Sequence, residues 1–428
     1  MTIASEGPAS SRQKPTVVFV GFTSLAVGSG TEQFLMNIAR NAPTDEYRVV
    51  VVQTDFLPSR RWSDQYVSES IRGVNLITLR SPRGSFDPDR LLDLASRSLW
   101  MYALAAVTRP FLQTASVRQT RRINRDALRS IASADLIYLV RNEDRGWLDI
   151  DSSRTVTIGS THCDDLSGGL LAFGSLPARS WVQRLCRRAR RRSLRRPGSI
   201  DGYHVTQNVY WRERLKRTDL DEFIPLGVDS KKFRPGERRE PGSPVRFLFV
   251  GGLESPKGLD RLLDSWRQVR STRGELDIVG YGRLSGKVEE HARKDPRIHY
   301  HGILSPDAIA EMYRSCDIFL FPSRFDTLGL VVLEALSSGL YVVASKAVRG
   351  VFDDFRDAGV LEYLDFSTPA VARRLQALAE GPLPLDDERR RALHEMVEMR
   401  YDWKRVSADL FSWFHRLLDT PRGPSQRQ

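Results

Sequence analysis

Cysteine is scarce: Cys163, Cys186 and Cys316 are the only three in 428 residues. An odd number at distant positions builds neither a disulfide framework nor a CxxC metal knuckle, and it points to a reducing compartment. Long apolar runs are missing as well. A membrane-spanning helix needs about 20 apolar residues, and the longest candidate, LWMYALAAV at 99–107, ends at Arg109-Pro110. The opening MTIASEGPASSRQK has no apolar stretch of the kind a secretory signal carries, so 1–14 is expected to be a disordered polar tail. No unit recurs at a period of about 20–50 residues, which excludes solenoids and propellers. Acid is in deficit, with 53 Asp+Glu against 65 Lys+Arg and a formal charge of +12. That excess favours anionic partners: nucleic acid, an anionic membrane surface or phosphorylated small molecules.

What remains is an ordinary globular composition, 41% hydrophobic and 28% charged, long enough for two or three domains at about 100–200 residues each. From Pro15, apolar β-branched runs alternate with amphipathic stretches: TVVFVGF (16–22), then TEQFLMNIAR (31–40), then YRVVVVQ (47–53), NLITLR (75–80), DLIYLV (135–140) and TVTIGS (155–160). Helical patterns fill much of 87–133 and 178–196. Continuous apolar strands separated by helices imply a parallel, doubly wound sheet. The alternation restarts after the Pro/Gly-rich FRPGERREPGSP (233–244), with strands expected at 245–253, 276–282, 298–302, 317–323 and 341–345. Helices are expected from Lys257 to Val269, near 305–315 and near 327–338, and the aromatic-rich 401–419 reads as a closing helix.

The most informative stretch is PSRFDTLGLVVLEALSSG (322–339). Asp326 precedes the helix pattern and Glu334 lies a little over two turns further on, which sets one carboxylate in a loop above a strand end and the other a layer deeper. Free N–H groups around Thr327, Leu328 and Gly329 would suit a phosphate. On spacing alone, Asp326 could equally be an N-cap and Glu334 a solvated helix residue. Three further strings accompany it: FIPLGVDSKKFRP (223–235), VGGLESPKG (250–258) and VGYG (279–282).

These four strings, in this order over 223–345, resemble those of the family 4 retaining glycosyltransferases. The N-terminal half agrees more loosely, through GSGTEQFLMNIAR (28–40), TVTIGSTHCDD (155–165) and YDWKRVSADLF (401–411). The resemblance implies the α/β GT-B fold, two Rossmann-like doubly wound domains facing a cleft with a C-terminal helix crossing back. The implied parse is an acceptor-binding domain at 15–235, a nucleotide-sugar-binding domain at 245–398 and a crossover helix at 399–420.

Carried over residue by residue, the resemblance implies that Glu334 binds the donor's ribose hydroxyls and Asp326 the transferred sugar, beside Thr327, Leu328 and Gly329. Lys257 would pair with the donor diphosphate and stabilise it as it leaves. His162 would sit across the cleft near the sugar. Gly30 would let backbone approach the donor or acceptor, and Gly252 and Gly282 would be further donor-binding positions. Retaining hexosyl transfer from a UDP- or GDP-linked sugar to a glycan or lipid-linked acceptor is the implied reaction, in polysaccharide or glycolipid biosynthesis. No cofactor is expected: Lys257 and helix N-termini can neutralise a diphosphate without a metal, and the Asp-x-Asp strings at Asp87–Asp89 and Asp149–Asp151 read as turns.

Three positions depart from the family pattern. Gly252 stands where an arginine is usual, with Arg349 and Arg283 as candidate substitutes; Asp326 replaces a glutamate; and Leu328 replaces a phenylalanine. A catalytically inactive GT-B protein that binds a nucleotide or a partner is therefore the alternative reading. Finally, no acid occurs between Asp165 and Asp201, and the Arg184–Arg196 stretch RLCRRARRRSLRR is a basic amphipathic pattern. It suits anionic headgroups and, with no transmembrane candidate, implies a cytoplasmic protein peripheral to the inner face of the membrane. The lack of a base-reading module or stacking motif argues against nucleic acid.

Overall fold

Val17 to Val20 lie at 2% exposure or less, with alternate side chains feeding two separate apolar clusters. A strand buried on both faces needs a continuous apolar run and helices on either side. In a computed structural model this run is the central strand of the first of two parallel sheets. The structure describes residues 14–21, 24–25, 30–55, 63–80, 119–140, 148, 150–151, 153–160, 200–206, 221–237, 240, 242–324, 326, 329–367 and 369–420. His162, Thr327, Leu328, Arg184–Arg196, the 99–107 stretch, Asp87–Asp89 and Asp149 lie outside the described residues.

The first sheet comprises β1 (Thr16–Val20), β2 (Arg48–Thr54), β3 (Asn75–Leu79), β4 (Leu136–Leu139), β5 (Val156–Ser160), β6 (Gly202–Val205) and β7 (Asp221–Phe223), in the order β3-β2-β1-β4-β5-β6-β7. Its described helices are α1 (Gly30–Arg40), α2 (Asp64–Ser70) and α3 (Arg125–Ala132). The second sheet comprises β8 (Val245–Val250), β9 (Gly274–Val279), β10 (Ile298–Gly302), β11 (Ile318–Phe321), β12 (Tyr341–Ser345) and β13 (Leu361–Leu364), in the order β10-β9-β8-β11-β12-β13. Around it run α4 (Leu259–Trp266), α5 (Ser285–Lys294), α6 (Pro306–Ser315), α7 (Leu330–Ser337), α8 (Asp353–Asp357) and α9 (Ala370–Glu380). All pairings are parallel. Both orders reverse direction beside the first strand, and that reversal opens a crevice beyond the carboxyl ends of the strands.

Two helices close the chain, α10 (Asp387–Tyr401) and α11 (Trp403–Asp419). They meet at Asp402, whose extended backbone (φ −63, ψ 139) breaks the helix and whose side chain caps the amide of Lys404. The joint is stitched to the segment following β7: Val228 N donates to Tyr401 O at 2.7 Å, Trp403 N to Val228 O at 3.2 Å, and Ser230 Oγ to Asp402 Oδ2 at 2.7 Å. Beyond it α11 lies on the first sheet. Phe414 packs on Phe19 and Tyr138 with ring centroids 5.9 and 6.1 Å apart, Phe411 packs on Tyr47 at 5.2 Å, and Trp403 meets Phe34 edge-on. Ser407 Oγ donates to the carbonyl of Asn41. The aromatic face legible in 401–419 is thus covered by the domain at the other end of the chain. Among the described residues no helix is long and apolar enough to cross a membrane.

Candidate active site

The loops that follow β8 and β11 stand side by side, because these two strands are neighbours and their connections leave in opposite directions. After β8 the chain passes Gly251 and Gly252 into a 3-10 turn, Ser255–Lys257, and only then enters α4. The sequence pattern places the helix start at Lys257. It is delayed because Gly258 is left-handed at φ 74, and a Cβ there would lie 2.0 Å from the carbonyl oxygen of Pro322. Only glycine passes so close to another backbone in that conformation. The same device recurs after β11, where left-handed Gly329 (φ 58) moves the start of α7 to Leu330.

These turns bring Lys257 and Asp326 together. Lys257 Nζ donates to Asp326 Oδ2 at 2.6 Å, with 41% of the lysine side chain and 10% of the aspartate side chain exposed. The other carboxylate oxygen, Asp326 Oδ1, accepts from Gly329 N at 2.9 Å. Asp326 therefore closes the turn before α7 and meets a cation at the same time. Glu334 lies deeper on α7 and is only 8% exposed, so it is not a solvated helix residue. Its Oε2 accepts from the hydroxyl of Tyr313, a fully buried side chain of α6, at 3.0 Å. A carboxylate held this way is oriented by its neighbours.

The remaining candidates take different places. Gly30 is the first residue of α1, and a Cβ on it would lie 3.7 Å from Leu330 Cδ1, so the first domain meets the start of α7 across the crevice. A Cβ on Gly282 would lie 2.6 Å from the carbonyl oxygen of Leu253, and the Gly282 amide donates to Ser285 Oγ. Gly252 opens onto space, with nothing within 4 Å of an added Cβ. Of the two arginines that could replace a cation there, Arg283 is tied to Glu254, with its amide on Oε1 at 3.1 Å and its Nε 3.6 Å from Oε2. Arg349 is exposed in the loop after β12.

Tyr313, Asp260 and Arg324 escape a reading of the sequence as site residues. Tyr313 looks like one more apolar-face residue of EMYRS, while Asp260 and Arg324 sit inside the strings GLDRLL and PSRFD without a spacing that pairs them. Arg324 Nη2 donates to Asp260 Oδ2 at 2.5 Å, and Ser255 Oγ donates to the same oxygen at 3.2 Å.

A family model of glycosyl transferases group 1 matches residues 244–381, which include every strand of the second sheet. The likeness to that family is a likeness of this part of the chain, about a third of its length. Relatives of the chain include the D-inositol 3-phosphate glycosyltransferase of Arthrobacter sp. (strain FB24), 30% identical over 222 residues, which cover 47% of this chain and 51% of that protein. Another is the GDP-mannose-dependent alpha-(1-6)-phosphatidylinositol dimannoside mannosyltransferase of Mycobacterium tuberculosis, 29% identical over 199 residues, 44% of this chain and 50% of that one. The chain spans about half the length of these curated relatives. The fold extends further than the sequence likeness. HepE of Anabaena, solved with UDP and glucose, superposes with a TM-score of 0.63 at 14% identity, over 94% of this chain and 100% of that one. Sucrose-phosphate synthase of Thermosynechococcus elongatus gives 0.65 at 15% identity, over 94% and 99%. The two-sheet architecture is that of the GT-B fold.

Proposed function

We propose that the chain transfers a hexose from a UDP- or GDP-linked donor to a hydroxyl of a glycan or lipid-linked acceptor, with retention at the anomeric carbon. The observation that carries the reading is the placement of Lys257, Asp326 and Glu334 on two facing turns and the helix behind one of them, at the switch point of the second sheet. There the Lys257 ammonium meets the donor diphosphate, in exchange for part of its contact with Asp326, and stabilises the negative charge that grows as the sugar leaves. Asp326, held by Gly329, is left to accept a hydrogen bond from a hydroxyl of the transferred sugar. Glu334, oriented by Tyr313, accepts from the ribose hydroxyls. Lys257 and the amino end of α7 offset the diphosphate charge without a metal. The first domain supplies the acceptor side, and His162 is the residue that the sequence resemblance assigns to the sugar.

Support comes from the relatives: one is named for dependence on GDP-mannose and for phosphatidylinositol dimannoside, and HepE was solved with UDP and glucose. The arginines between 184 and 196, together with the net charge of +12, support an acceptor at the cytoplasmic membrane face.

The test is release of nucleoside diphosphate from a panel of UDP- and GDP-sugars, with the anomeric configuration of the product read by NMR. Turnover with one base series, an unchanged anomeric configuration and a loss of about 100-fold or more in Lys257→Ala are expected. Tight nucleotide binding without turnover would select the inactive GT-B protein instead. An inverted product would remove retention.

A further inference from the structure

The turn that carries Lys257 and the loop that carries Asp326 belong to different strands, yet the two side chains meet at 2.6 Å. Nothing in a 3-10 turn of three residues fixes such a separation by itself. The structure contains a second connection between the same two pieces of chain, set behind the first. Arg324 N donates to the carbonyl of Pro256 at 2.9 Å, so the backbone just ahead of Asp326 hangs on the residue just ahead of Lys257. The Arg324 guanidinium reaches past the turn to Asp260 Oδ2 at 2.5 Å, and that oxygen also takes the hydroxyl of Ser255, the first residue of the turn, at 3.2 Å. One carboxylate in the first turn of α4 therefore holds the start of the lysine turn with one hydrogen bond and the aspartate loop with another. Gly258 completes the contact, its α-carbon pressed against Pro322 O.

We propose that Asp260 and Arg324 are positioning residues for the donor diphosphate: they form a latch that sets the distance and direction of Lys257 relative to Asp326. The inference rests on the glycosyl-transfer reading above. The latch touches neither the sugar nor the phosphates and acts through the lysine turn. Its charged partners are 33% and 26% exposed, and an ion pair that accessible to water contributes little to global stability. Its leverage is local. Lys257 works only where its ammonium meets the phosphate that bears the leaving charge, and a small error in placement costs a large part of such an interaction. Gly252 sharpens the dependence: no side chain at that position shares the diphosphate with Lys257.

The experiment compares nucleoside diphosphates with monophosphates, because the ratio of their affinities isolates the terminal phosphate. Calorimetric titration of the full chain with UDP, UMP, GDP and GMP is made for the wild type, Arg324→Gln, Asp260→Asn, Arg324→Lys, Lys257→Ala and the double variant Arg324→Gln/Lys257→Ala. In Arg324→Gln and Asp260→Asn, affinity for the diphosphate of the preferred base falls by about tenfold while the monophosphate changes by less than about twofold. Arg324→Lys, which keeps the charge and one donor, recovers part of the loss. In the Lys257→Ala background, Arg324→Gln adds nothing, since the latch acts through that lysine. Thermal midpoints confirm that each variant is folded. An unchanged ratio in both single variants overturns the latch, as does equal weakening of mono- and diphosphate, which marks general loosening. Failure of the wild type to bind any diphosphate is a separate result that refutes the donor-site reading and the latch with it.

Discussion

The hydroxyl of Tyr313 helps to orient the buried carboxylate of Glu334. At 8% exposure Glu334 has little water to orient it, and the hydroxyl of Tyr313 aims it. Tyr313→Phe keeps the ring and removes the donor; a hydrogen bond to a charged group contributes about 1.5–3 kcal/mol, so the KM for the nucleotide-sugar rises about tenfold or more with a smaller change in kcat, measurable in a donor-release assay. His204 is the other residue whose state is set by its surroundings. It is fully buried, accepts from the Tyr138 hydroxyl at Nδ1 and donates from Nε2 to Ile224 O at 2.7 Å, which fixes the neutral tautomer. Burial lowers its pKa to about 4 against the partial opposition of that carbonyl. The unfolded chain binds a proton at this residue below about pH 6.5 that the folded chain refuses until about pH 4, so stability falls as pH drops through that window. The expected loss is roughly 3 kcal/mol. His204→Gln is less stable at pH 7 and has a flatter stability profile between pH 4 and 6.5 than the wild type, a difference seen in denaturant titrations. Lys257, Asp326 and Glu334 stand out in the sequence because each sits at a fixed place in a recognisable string. Their partners do not, since neither the pairing of Lys257 with Asp326 nor that of Glu334 with Tyr313 follows from spacing along the chain.

At the scale of elements, legibility follows burial. The strands β1, β2, β8, β11 and β12 are covered on both faces over most of their length and appear in the sequence as predominantly apolar runs. The strands that escape are β6 (GYHV), β7 (DEF) and β13 (LEYL), short and partly polar, and formed because a neighbouring edge offers backbone partners. Helix starts are legible only to within a few residues, because Gly258 and Gly329 delay them by turning left-handed where the apolar periodicity has already begun. The closing helix is visible as an aromatic stripe, though not the surface it covers. Phe414 on α11 is fully buried against Phe19, Tyr138, Phe411 and Trp413. Phe414→Ala is expected to cost about 3–5 kcal/mol in the unfolding of the first domain, although the residue lies at the opposite end of the chain from β1; differential scanning calorimetry reads it.

For the whole molecule, two parallel sheets with reversed-order strands face each other, and the chain crosses between them twice, after β7 and at Asp402. Gly30 at the head of α1 and Leu330 at the head of α7 approach each other across the crevice, so both domains border the space in front of the lysine turn. The net charge of +12 belongs to this scale as well. Binding to vesicles containing anionic lipid is expected at low salt and is expected to weaken steeply as ionic strength shortens the Debye length; neutral vesicles serve as the control, and equal binding to both would remove the electrostatic attachment. In the proposed function the second domain holds a nucleotide-sugar through Lys257, Asp326 and Glu334. Thermal unfolding with UDP, GDP, ADP and their sugar conjugates, for the wild type and Glu334→Ala, tests it most directly. A ligand at about 100 times its Kd stabilises the folded state by about 2.7 kcal/mol, a visible shift in midpoint. That shift is expected for either the UDP or the GDP series and is expected to be lost in Glu334→Ala; no shift with any nucleotide, or one that survives the substitution, rules this donor site out.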